Sequence, residues 1–236
     1  MMFGWDPHHL LYVALPLMLL MGAAQVWVML SYARWSRVKN RQGITGAEAA
    51  LVILRNAGVH DVRVEQFEGW LSDHYSPLDK VLRLSPQNYG GTSIAAVGVA
   101  AHEAGHAIQH ARAFAPLYLR NLAVPLASIG SQLGYLVLII GIFAMGPTVN
   151  ALTLLGLGLI ACVALFQVIN LPVEFDASRR ALQVLPGIGI LDKEETEGAR
   201  KVLTAAALTY VAATIAALWE LLYWAYRLGL IGRRSD

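Results

Sequence analysis

Charge and cysteine are both scarce in this chain, and each scarcity closes off a class of function. Of 236 residues only 14% are charged, and 18 Lys and Arg against 16 Asp and Glu leave a formal net charge of +2. A balance that small provides no electrostatic footprint for nucleic acid, and the basic residues gather beside apolar runs instead of along one face. The single cysteine, Cys162, stands among Leu, Val and Ile, so no disulfide framework is possible and packing is its expected use. No internal repeat or low-complexity segment is found, which excludes a solenoid. No basic residue precedes the first apolar run, which is also too long for the core of a secretory signal. It is expected to remain as an anchor, with the N-terminus outside.

Apolar length is what the chain has in abundance. Hydrophobic residues make up 56% of it and the mean hydropathy is +0.51, too apolar for a soluble domain of this size. Four runs, about 9–32, 122–145, 149–171 and 203–228, can each cross roughly 30 Å of hydrocarbon at about 1.5 Å per residue. The spans are expected to carry no acid, histidine or lysine at depth, as an ion path would need. Only Gly146, Pro147 and Thr148 separate the second span from the third, so the segments 33–121 and 172–202 must share one side of the membrane. Those segments hold Arg34, Arg37, Lys39, Arg41, Arg112, Arg120, Arg179, Arg180, Lys193, Arg200 and Lys201 near span ends; the other side has Arg227, Arg233 and Arg234. By the positive-inside rule the shared side is cytoplasmic. The basic C-terminal tail leaves open a re-entrant fourth span.

Between the first two spans a small α+β segment is expected. Thr45 and Glu48 have capping-box spacing, Ala47 to Ala57 is helix-forming, and Gly58 suits a helix C-terminus. Val62–Phe67 and Lys80–Ser85 alternate like strands, with a turn at Ser76–Asp79, and predict a small antiparallel element. After Gly90–Gly91, Thr92 or Ser93 can cap a helix running from Ile94 to Ala113.

That helix carries His102-Glu103-Ala104-Gly105-His106. At about 100° per residue the two histidines lie one turn and about 40° apart, close enough to reach one metal ion. Glu103 is rotated about 100° from His102, where a general base stands if it is to take a proton from the attacking water and not bind the metal. Zn²⁺ then lacks one protein ligand, which must come from the same membrane side. Just after the third span stands Leu171-Pro172-Val173-Glu174-Phe175-Asp176-Ala177-Ser178-Arg179-Arg180. Acids are costly at the end of an apolar span unless they are used, and Pro172 suits the first turn of a helix bearing them. Glu174 and Asp176 lie roughly 200° apart and cannot both face the ion. Glu174 is the candidate ligand, against a plain salt bridge to Arg179 or Arg180; Asp176 is expected to pair with an arginine or to support a ligand by hydrogen bonding. His110 lies about 12 Å along the axis from His102, too far to share an ion. Asp73-His74-Tyr75 makes His74 and Tyr75 substrate-side candidates, able to donate to an oxyanion, or else a polar turn.

Five ordered blocks, LSDHYSP (71–77), LRLSPQNY (82–89), AAHEAGHAIQHA (100–111), LPVEFDASRRAL (171–182) and ARKVLTAAALTYVAA (199–213), resemble the bacterial YugP-like neutral zinc metallopeptidase family. More distantly they are similar to HtpX-like and CAAX-prenyl proteases, where HExxH precedes a hairpin of spans and a Glu-Phe-x-Ala-Asp type motif. The resemblance implies a zinc peptidase with a gluzincin-like ligand set of His102, His106 and Glu174, and Glu103 as base. Ser178 replaces the last Asp of that motif. The expected fold is mainly α: one membrane domain over 1–236, with about four transmembrane helices and a small cytoplasmic, zincin-like α+β element. The expected partners are membrane lipid and a polypeptide substrate, unfolded or membrane-associated, adding as a strand to an edge offered at 80–85. The expected location is the bacterial inner membrane, multi-pass, with the site facing the cytoplasm and a role in protein quality control.

Overall fold

The computed structural model describes residues 7–69 and 72–232. Leu71 of the first motif block and Arg233 and Arg234 of the basic tail lie outside the described residues. In chain order the elements are α1 (Pro7–His9), a π-helical turn (Leu10–Ala14), α2 (Leu15–Trp35), α3 (Gly46–Asn56), β1 (Arg63–Gln66), β2 (His74–Ser76), β3 (Val81–Leu84), α4 (Pro86–Tyr89), α5 (Ile94–Ala111), α6 (Ala115–Met145), α7 (Ala151–Gly187) and α8 (Lys193–Arg227). Four helical stretches, Leu10–Trp35, α6, α7 and α8, are long and apolar enough to cross a membrane. The fold is therefore mainly α with one small sheet. The chain divides into two compact units, one of 1–23, 119–171 and 210–236, the other of 24–118 and 172–209.

In the first unit α6 and α7 approach closely because small residues line their seam. A Cβ on Gly141 would stand 2.8 Å from the Thr153 nitrogen. Asn150 starts α7 by accepting from the Leu152 and Thr153 amides at 3.0 Å. One expectation fails in this unit: Glu220, well inside α8, accepts from His9 at 3.0 Å. The apolar run hid an acid whose cost a nearby imidazole offsets.

The second unit has a true core, in which Ile53 and Leu54 of α3, Leu82 and Leu84 of β3, Val97 and Ile108 of α5, and Leu185 of α7 are all nearly inaccessible. The Thr45–Glu48 capping box is present in both directions, and Gly58 ends α3 with φ +74°. Ser93 caps α5 by accepting from the Ala96 amide at 3.1 Å. The helix stops at Ala111, two residues early, because Ala113 turns left-handed at φ 48°.

The sheet departs from expectation. Its order is β1-β3-β2, with β1 parallel to β3 and only β2 antiparallel to it. The turn after Ser76, with Lys80 at φ 51°, hairpins β3 back onto the three-residue β2, and β1 is left to join the other side. The strand expected to offer an edge is thus the central one, with both edges occupied. Pro172 also departs: it does not begin a helix but lies within α7, which continues to Gly187. Helices in membranes tolerate proline where neighbouring groups satisfy the freed carbonyl. At its start α8 is capped reciprocally, Asp192 accepting from the Glu195 amide at 2.9 Å and Glu195 from the Asp192 amide at 3.0 Å. It therefore begins ten residues before the apolar run.

Candidate metal centre

Residue 105 decides how near α7 can come to α5. A Cβ on Gly105 would lie 2.7 Å from the Ala177 carbonyl oxygen. Ala101, Ala104, Ala177 and Ala181 are likewise small and buried. Side chains of that size let the two backbones approach and bring the Glu174 carboxylate to the histidine face of α5.

The Glu174 Oε2 atom stands 3.3 Å from His102 Nε2 and 3.6 Å from His106 Nε2. The ligand atoms of the three residues all lie within 4.8 Å of one another, a set able to hold a metal ion. Glu174 is 3% exposed, and its Oε2 has no hydrogen-bond partner. A buried carboxylate oxygen without a donor is costly. The other nitrogen of each imidazole is engaged elsewhere, His102 Nδ1 with Ser178 Oγ at 3.1 Å and His106 Nδ1 with Gln109 Oε1 at 3.0 Å. With Nδ1 protonated, each Nε2 turns a lone pair toward Glu174. Three acceptors converging on one point call for a cation, and two imidazoles with a carboxylate suit zinc.

A proton partly meets the same demand. Burial alone lowers the pKa of His106, but the Glu174 carboxylate beside its Nε2 and the charge of Glu103 outweigh burial and raise it. Glu103 itself is buried, at 8% exposure, one residue along α5 from His102.

Asp176 turns away from the three ligand atoms, as its place on the helix requires. It accepts from Gln109 Nε2 at 2.9 Å and from Arg179 and Arg180, so the expected arginine pairing is present, while its other bond goes to Gln109 and not directly to a candidate ligand. Arg180 in turn lies over the Phe114 ring at 5.6 Å. His74 and Tyr75 are not brought to the ligand atoms by any hydrogen bond among the described residues. His74 Nδ1 bonds to the Ser72 carbonyl at 2.8 Å, and the Tyr75 hydroxyl bonds to His110 Nδ1 at 2.8 Å. Burial and then the Asp61 charge push the Tyr75 phenol up to about 12, so it stays protonated. The neighbouring Asp73 is a hub: it accepts from the Ser85 amide at 2.8 Å and from Asn88 at 2.9 Å, and Tyr32 of α2 donates to Asn88 at 2.8 Å.

Gln109 went unnoticed as a site residue in the sequence. An amide is not an expected zinc ligand, and the one available signal was its position three residues after His106, on the same helix face.

Residues 10–229 match the family described as "Putative neutral zinc metallopeptidase". A Bacillus subtilis (strain 168) protein described as "Putative membrane protease YugP" is 44% identical over 201 residues, 84% of this chain and 87% of that protein. No solved structure matches the chain.

Proposed function

The chain belongs to the neutral zinc metallopeptidase family, and from that premise we propose that it cleaves polypeptides at the cytoplasmic face of the bacterial inner membrane. In this reading His102, His106 and Glu174 hold the zinc, a gluzincin-like set, and Glu103 is the general base. The observation that carries it is the convergence of three acceptor atoms from two helices, one of them a buried Oε2 with no donor.

A bound zinc ion supplies a Lewis acid that lowers the pKa of a water to about 7 and polarises a carbonyl. Glu103, about 100° round the helix from His102, takes the proton from the attacking water and returns it to the departing amine. Its burial keeps bulk water from competing for that proton.

Two features support the membrane face. The 37 residues of α7 extend about 56 Å, well beyond roughly 30 Å of hydrocarbon, and Glu174 follows the apolar stretch near 149–171. The arginines and lysines near it favour the cytoplasmic side. Polypeptide segments within reach of such a site are unfolded tails and the exposed parts of membrane proteins, which makes quality control the physiological role.

Purified protein in detergent, offered casein or a membrane protein fragment, tests the reading. Glu103→Gln is expected to keep stoichiometric zinc while cleavage falls by about 10²- to 10⁴-fold. Retained cleavage in that variant refutes Glu103 as base, and zinc bound stoichiometrically by Glu174→Ala refutes the ligand set.

A further inference from the structure

Gln109 is completely buried, yet both ends of its amide are satisfied by unlike partners. Its Nε2 donates to the Val173 carbonyl at 2.8 Å and to Asp176 Oδ2 at 2.9 Å, and its Oε1 meets His106 Nδ1 at 3.0 Å. The Val173 carbonyl only accepts, and so does Asp176 as a carboxylate paired with Arg179 and Arg180. The amide therefore has one orientation that satisfies it, NH₂ toward α7 and oxygen toward His106. An oxygen there can only accept, so His106 Nδ1 must carry the hydrogen and Nε2 must offer a lone pair. His102 is held differently: the Ser178 hydroxyl can donate or accept, and it dictates neither tautomer.

We propose that Gln109 is the positioning residue of the metal centre: held by Asp176 and the Val173 carbonyl, it fixes the tautomer and ring orientation of His106 for zinc. The line from Arg179 and Arg180 through Asp176 and Gln109 to His106 does what a carboxylate bonded directly to the histidine does in other zinc sites. It explains why Asp176 is buried at 6% exposure on the α5 side of its helix although it cannot reach the metal. It also couples the two helices, since both partners of the Gln109 amino group belong to α7.

The inference rests on the proposed ligand set, so zinc affinity of the full-length chain in detergent, by chelator competition, is measured first for the wild type and His102→Ala. Stoichiometric zinc in the wild type, lost in His102→Ala, upholds the ligand set; without it both readings fall together. Given that result, Gln109→Leu, similar in bulk but without the amide, is expected to bind zinc about 10- to 100-fold more weakly and to change the visible spectrum of the Co²⁺-substituted protein. Gln109→Glu places a carboxylate against Asp176 and is expected to bind at least as weakly. Adding Asp176→Asn supplies a donor to that carboxylate and is expected to restore most of the affinity. Packing alone does not anticipate such a rescue. Zinc affinity in Gln109→Leu within about threefold of wild type, with an unchanged Co²⁺ spectrum, overturns the proposal while leaving the ligand set standing. If Gln109→Leu fails to fold, the double variant decides: no recovery over Gln109→Glu overturns it.

Discussion

The helix α7 is used twice, and its two uses differ in what close packing is for. Along 151–171 it meets α6 through glycines, with Gly141 within 2.8 Å, as a would-be Cβ, of the Thr153 nitrogen. Along 172–187 it meets α5 through Gly105 and buried alanines, with Gly105 within 2.7 Å, as a would-be Cβ, of the Ala177 carbonyl. In the first stretch close approach yields van der Waals contact in a lipid setting, where apolar burial drives nothing. In the second it carries Glu174, Asp176 and Ser178 to the side chains they meet on α5. One small-residue device thus stabilises a hairpin in one place and aligns ligand atoms in the other.

The largest effect should come from removing that device where it aligns the ligands. Gly105→Ala forces its methyl against the Ala177 carbonyl, costing about 1–3 kcal/mol of stability through overpacking. It is expected to cut zinc affinity by more than about 100-fold, beyond the loss of a single supporting hydrogen bond, because both helices must move. Gly141→Ala, with an equally tight clash, is expected to lower the melting temperature in detergent by a similar amount while stoichiometric zinc remains. Zinc loss in both variants, by isothermal titration, breaks the distinction; loss in Gly105→Ala alone sharpens it.

How far the sequence could reach follows the same division between local and non-local geometry. The spacing of His102 and His106 is a property of one helix, and the capping box at Thr45 and the turn at Gly58 are equally local, so all were legible. Glu174 was reachable by topology, because a three-residue turn forces the segments around the hairpin to one side. The sheet was misread because strand pairing is not local: a three-residue β2 shows no alternation, and nothing in VRVEQF states that it pairs parallel. Pro172 misled in the opposite way, a sound local rule overridden by the helix around it. Gln109 was invisible because its meaning comes from Val173 and Asp176, more than sixty residues away in the chain. The acid at Glu220 is explicit in the sequence, but the apolar run around it masks it in any average over the span.

Protonation and metal compete for the α5 side of the seam, and the sign of each effect is distinct. The pKa of His106 in the metal-free fold lies above its ordinary 6.5, since Glu174 and Glu103 outweigh burial. A raised folded-state pKa adds stability that is fully present below about 6.5 and is lost as pH rises through the folded value. Zinc requires the unprotonated ring, so zinc-dependent stabilisation grows over the same window. Thermal melts with chelator should therefore decline from about pH 6.5 upward, while the increment on adding zinc rises between about pH 6 and 8. The hairpin stretch of α7, 151–171, carries no Asp, Glu, His, Lys or Arg and should contribute nothing to either slope. His106→Gln is expected to flatten both curves; a zinc increment in the wild type that is constant with pH contradicts the assignment.

The smallest effect distinguishes the two histidines from each other. Among the described residues His102 Nδ1 has the Ser178 hydroxyl as its one hydrogen-bond partner, with no charged group behind it. A neutral hydrogen bond of this kind contributes about 1 kcal/mol, against about twice that for one backed by a charge. Ser178→Ala should accordingly weaken zinc by about fivefold, the equivalent of about 1 kcal/mol. Ser178→Asp should strengthen it, because the new carboxylate accepts from Nδ1 and fixes the tautomer that serine leaves free. Chelator competition on the two variants reads both changes. If Ser178→Ala costs as much as Gln109→Leu, the two histidines are held equally and the asymmetry between them is lost; if Ser178→Asp binds zinc more tightly, His102 is the looser ligand.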